Sequence, residues 1–123
     1  MHLSRQEFES IITEAIEGLP EEFAEKLENV EFVIEDYPGR KDYEDSRIDP
    51  GIFFLGLYRG VPLVRRSPFD LHIWPDQIII YQRSIERICR TREEIIDEVR
   101  RTVLHEIGHH FGISDQRLEE LGC

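Results

Sequence analysis

The sequence predicts a small α+β fold forming one domain over residues 1–123. Three observations predict it. Apolar residues repeat at helical spacing near both ends of the chain, short β-branched runs lie between them, and 123 residues suit one compact domain with its own core. Apolar residues make up 40% and charged residues 33%, the balance of a globular chain.

The elements follow in order. Ser4 with Glu7 three residues later forms a capping box. It opens a helix whose apolar positions are Phe8, Ile11, Ile12, Ala15, Ile16 and Leu19, ended or bent by Gly18 and Pro20. EEFAEKL predicts a second short helix with Pro20 near its first turn. VEFVIE, residues 30–35, alternates as a half-buried strand does. Residues 37–51 are polar and rich in Pro, Gly and Asp, and read as a long loop. Residues 52–58 are apolar and extended. Gly60, Pro62, Ser67 and Pro68 punctuate an exposed connection, and QIIIYQ, residues 77–82, is a strand. Ser84 is placed to cap a short helix running through Cys89. Thr91 and Glu94 form a second capping box, opening the longest helix, residues 92–111, with Gly112 as its stop. A last short helix fits residues 114–121.

Charge is unevenly placed. The formal net charge is −11; residues 1–50 carry fifteen acidic and five basic side chains, residues 51–123 eleven and ten. The acidity therefore belongs to the N-terminal part. It serves solubility, and it repels phosphate backbones, so no nucleic-acid partner is expected. No apolar run reaches membrane-spanning length, so no membrane partner is expected either. Cys89 and Cys123 have no paired spacing, and the N-terminus lacks a basic region followed by an apolar run. A cytoplasmic protein with reduced thiols is the expectation.

The chemistry lies in HEIGHHFGISD, residues 105–115. Two histidines four residues apart lie about 40° apart around a helix, so His105 and His109 can reach one ion. Neutral imidazoles suit zinc, and Glu106 between them can act as a general base. Ile95, Ile96, Val99, Val103, Ile107 and Phe111 define the apolar face of this helix; His105 and His109 fall nearly opposite, with Glu98 and Thr102. His110 falls in the apolar arc and reads as a packed histidine. A third ligand is expected from Asp115, because Gly112 allows a sharp turn that brings the chain back. The competing role for Asp115 is the N-cap of the last helix. The full pattern is H-E-x-x-H-x-x-G-x-x-D.

This pattern resembles the zincin metallopeptidases with the extended motif and an aspartate as third ligand. The run RTVLHEIGHHFGISDQRLEELG, with IIIYQRSIERIC before it, is similar to the bacterial minimal-zincin family. The resemblance covers roughly the last fifty residues in sequence and the N-terminal half in layout. It implies a small zincin-like α+β fold, its small β-sheet packed on the motif-bearing helix with flanking helices. It also implies zinc held by His105, His109 and Asp115, and a peptidase role for Glu106. True metzincins add a methionine-containing turn after the third ligand. Here the only methionine is Met1, so that turn and its subdomain are not expected.

The expected chemistry is attack of a metal-activated water on a peptide carbonyl, with Glu106 carrying the proton. Tyr81 is a candidate oxyanion donor or cleft residue, against a core tyrosine; QIIIYQ is either a peptide-pairing edge or an internal strand. His72 and Trp74 are expected to be structural. The arginines at 83, 87, 90, 92, 100 and 101 pair with the acidic part or face solvent, the sharper reading being an acidic-peptide site. A peptide or protein is the expected substrate, with a partner chain to complete the cleft. The alternative function is a non-catalytic metal-binding or interaction module. A metal-dependent nuclease is a third reading, opposed by the acidic balance and the aspartate ligand.

Overall fold

Helix α1 (Arg5–Glu17) starts where its cap places it: the Ser4 hydroxyl accepts the Glu7 N–H at 3.1 Å. The computed structural model describes residues 1–46, 54–60 and 75–120, less the side chains of residues 45, 46 and 115. Phe8, Ile11, Ile12 and Ala15 form the buried stripe of α1, and Gly18 ends it. Pro20 then caps α2 (Glu21–Lys26), which buries Phe23. Strand β1 (Val30–Glu35) covers the predicted residues.

The predicted loop over residues 37–51 is corrected. It contains a helix, α3 (Arg40–Ser46); residues 47–51 lie outside the described ones. This helix has no apolar stripe to announce it. It is held through Asp42, which is buried, accepts the Gly39 N–H at 2.8 Å and pairs with Arg59 at 2.8 Å. A polar anchor leaves no periodic trace in a sequence, so propensity alone missed it.

Strand β2 (Gly56–Arg59) occupies the end of the predicted 52–58 stretch, of which residues 52 and 53 lie outside the described ones. Of the predicted connection only Gly60 is described, and it is exposed. Strand β3 (Asp76–Tyr81) leads straight into α4 (Gln82–Ile88). Ser84 does not cap α4. It lies buried inside the helix, and Tyr81 takes the N-cap position with no side-chain capping bond. Helix α5 (Arg92–Phe111) has the predicted bounds. The Thr91 hydroxyl accepts the Glu94 N–H at 3.1 Å, and the Glu94 carboxylate accepts the Arg90 N–H at 2.6 Å. Helix α6 (Asp115–Glu120) follows a turn at Gly112.

The sheet order is β1-β3-β2, with β1 parallel and β2 antiparallel to β3. The QIIIYQ strand is therefore internal and not a peptide-pairing edge. Its side chains divide between two packed faces, which is why the run is uniformly apolar. Ile78 and Ile80 join the main core with Phe8, Phe23, Val99 and Ile107. Ile79 and Tyr81 pack with Leu57 on the other face. Helix α5 contacts α1, β2 and β3, so the small sheet packs on the long motif-bearing helix, as expected. It comes close at Gly56, where an added Cβ would lie 2.5 Å from Thr102 Cγ2. Among the described residues no helix is long and apolar enough to cross a membrane.

Candidate metal centre

The buried stripe of α5 runs through Ile95, Ile96, Val99, Val103 and Ile107 to Gly108, where the core residue Leu118 of α6 packs. The last turn projects beyond it. His105 is half-buried and His109 exposed, with ring centroids 6.0 Å apart. Two imidazoles sharing one zinc at about 2.0–2.1 Å place their centroids about 5 Å apart. The observed pair is about one ångström wider than that, and its imidazole nitrogens are donors of the kind zinc takes.

Glu106 lies between them, and its Oε2 accepts the backbone N–H of Tyr58 at 3.2 Å. Tyr58 is on β2, and this N–H points away from β3 and toward α5. Burial pushes the Glu106 carboxyl above the usual carboxylate range; the Tyr58 hydrogen bond and the charge of His109 partly oppose that rise.

Gly112 closes α5 in the left-handed conformation, φ 69°, which favours glycine. The Ile113 N–H then returns to the Gly108 carbonyl at 2.8 Å, and the Ser114 hydroxyl accepts the Arg117 N–H at 3.2 Å. Ser114 is therefore a cap of α6, and Asp115 is its first residue. The side chain of Asp115 lies outside the described residues. Among the described residues His105 and His109 stand as a pair, and no group of three His, Cys, Asp or Glu gathers as a metal cage.

Two expectations for this end of α5 are corrected. His110 is exposed rather than packed in the core, and Phe111 is 44% exposed. Both lie on the arc of the apolar stripe, at the last turn of α5. They find local partners instead. The His110 ring stacks on Tyr58 at 3.9 Å, and Lys26 Nζ lies 4.9 Å from the centre of the Phe111 ring. The Tyr58 hydroxyl donates to Asp76 at 2.8 Å, and burial with this carboxylate raises its pKa.

Tyr81 is fully buried on the sheet face carrying Leu57 and Ile79, so it lines the core and not this site. Burial, then the nearby Asp42 carboxylate, keep its phenol protonated. His72, Trp74 and Cys123 lie outside the described residues. The residue that sequence reasoning missed is Tyr58. The extended segment was legible, but the direction of one backbone N–H depends on strand order, which no local pattern encodes. The arginines follow the expectation only in part: Arg92 pairs with Glu14 and Arg83 with Asp36 of the N-terminal part, and Arg87 and Arg90 are exposed, but Arg83 also pairs with Glu86, Arg100 with Asp97 and Arg101 with Glu98 on their own helices.

No curated protein matches the chain. Among solved structures it is similar to a conserved hypothetical protein from Thermo thermophilus, at 26% identity and a TM-score of 0.55. The match covers 89% of this chain and 94% of that one. A family model described as zincin-like metallopeptidase matches residues 27–123, from the end of α2 through the motif helix and α6. With most of its length matched, the chain belongs to the zincin-like metallopeptidase family.

Proposed function

We propose that this chain is a zinc-dependent peptidase in which His105, His109 and Asp115 hold the metal and Glu106 is the general base. The observation that carries the reading is the placement of His105, Glu106 and His109 at the exposed end of α5, beside the outer edge of β2. A zinc ion held there lowers the pKa of water and polarises a carbonyl. Glu106 takes the proton of the attacking water and delivers it to the leaving amine. The Tyr58 N–H restrains Oε2, which aims the carboxylate and leaves Oε1 to carry the proton. Peptides or loosely folded proteins are the substrates. A partner chain completes the substrate cleft. The reading places the protein in the cytoplasm, where the buried thiol of Cys89 stays reduced.

The test begins with zinc content per chain in wild type, His109→Ala and Asp115→Ala. About one zinc in wild type, lost in His109→Ala and weakened in Asp115→Ala, is the expected result. Glu106→Gln should then keep its zinc and lose roughly 10²–10⁴-fold in peptide hydrolysis. A wild type that binds no added zinc would end the enzyme reading.

The Glu106–Tyr58 hydrogen bond also favours a second reading, a non-catalytic metal-binding or interaction module. Glu106 would then latch β2 to α5. In that case Glu106→Gln binds zinc normally, changes no hydrolytic activity and lowers the unfolding midpoint.

A further inference from the structure

On the side of the molecule formed by α1 and β1, an open groove of about 420 Å³ lies between the two elements. Its floor is apolar, with Ile16, Phe32 and Ile34 only partly covered. Strand β1 is at one end of the sheet order. Among the described residues no strand pairs with its outer side, so alternate N–H and C=O groups of β1 point outward beside the groove.

The unpaired charges around this edge, among the described residues, are carboxylates. Glu9 and Glu31 are exposed and Glu35 is half-buried, and among the described residues none of the three pairs with a cation. Arg5, the cation lining the groove, is already committed to Asp36 at 2.9 Å and to Gln82 at 2.7 Å. Glu31 and Glu35 flank Val33 on one face of the strand, opposite to Phe32 and Ile34.

This pattern discriminates between occupants. A second copy pairing antiparallel about Val33 would set Glu31 opposite Glu35 twice, which is destabilising. An extended segment with Lys or Arg at alternate positions would instead meet both carboxylates. Its intervening apolar side chains would enter the groove under α1. One strand-shaped ligand satisfies the open edge, the apolar floor and the charge together.

We propose that the α1–β1 groove is a docking site for an extended basic segment of a partner protein, which adds to the sheet beside β1. The site is independent of the metal centre.

The test titrates a synthetic peptide of alternating valine and lysine into the full chain, with a valine–glutamate peptide as the control. Amide chemical shifts and calorimetry follow binding. The expected result is saturable binding of the lysine peptide, with the largest shifts over residues 30–35, and none of the glutamate peptide. The double variant Glu31→Lys/Glu35→Lys should weaken binding at least tenfold. Thr13→Trp, which fills the groove from the exposed side of α1, should weaken it without changing the net charge. Binding that survives Thr13→Trp would be general attraction to an acidic surface and would overturn the proposal. So would the absence of saturable binding, or a dimer whose formation shifts the same β1 amides.

Discussion

The carboxyls of two glutamates on neighbouring helices are shifted in opposite directions by their surroundings. Glu106 is pushed toward protonation by burial, with one backbone N–H in partial compensation. Glu86 is also buried, and burial alone would raise its pKa. Hydrogen bonds from Gln82 at 3.0 Å, Arg83 at 2.7 Å and the Leu3 N–H at 2.9 Å outweigh that and hold it below the usual carboxylate range. A carboxylate whose folded pKa is lowered stabilises the fold above its unfolded pKa of about 4.3, and that contribution is lost as pH falls through the folded value. Glu86→Gln should therefore cost about 2 kcal/mol at pH 7, with a gap that narrows as pH drops below about 4. Urea denaturation across that range measures it, and a gap independent of pH would contradict the assignment. Cys89 gives a second residue-scale prediction. Burial, then the carboxylates of Glu98 and Glu94, push its thiol up to about 11. In the folded protein at pH 8 it should react with iodoacetamide roughly 10²-fold more slowly than in the unfolded chain. Mass mapping of the Cys89 peptide reads this out separately from Cys123.

Among the elements, α5 and the turn that ends it organise the site. The capping box at Thr91 sets where the helix begins, and Gly112 sets where it stops. Gly112→Ala keeps every side-chain contact, because nothing lies within 4 Å of the added Cβ, but forces a β-carbon into φ 69°. The expected cost is about 1 kcal/mol in stability. The larger effect should be on zinc affinity, since the turn fixes how α6 and Asp115 return toward α5. Competitive chelator titration would show it; unchanged affinity in Gly112→Ala would argue against Asp115 as a ligand. The caps and the apolar stripe of α5 were legible because each is a local pattern of residues three or four apart. Helix α3 was not legible, because its anchor, Asp42 to Arg59, joins residues separated by a long stretch of chain. Likewise His110 and Phe111 carry the phase of buried residues and are nevertheless exposed, because the phase of a helix does not say which of its turns the rest of the fold covers.

For the molecule as a whole, the apolar core reaches the margin of the candidate site. The main cluster runs from Phe8 and Phe23 through Ile78, Ile80 and Val99 to Ile107, with Tyr58 packed against it, while His105 is half-buried and His109 exposed. The surface ion pairs, such as Arg92 with Glu14, contribute little beside that burial. The metal-free protein should therefore keep its native far-ultraviolet circular dichroism. Zinc should raise the unfolding temperature by mass action, by an amount that grows with free zinc concentration. Collapse of the circular dichroism on chelation would mean instead that the metal is part of the folding nucleus.

The α+β composition, the bounds of α1, β1 and α5, and the placement of His105, Glu106 and His109 on one helix were determined by the sequence by itself. Those features depend on neighbours within a turn or two of each other, where side-chain periodicity and capping chemistry act directly. Tertiary structure alone decided that β3 is central, that β2 offers its outer edge to α5, and that the Tyr58 N–H meets Glu106. It alone also tied Leu3 to α4 through Glu86 and Gln82. Strand order and long-range hydrogen bonds follow from which apolar faces can be buried together, a property of the assembled core.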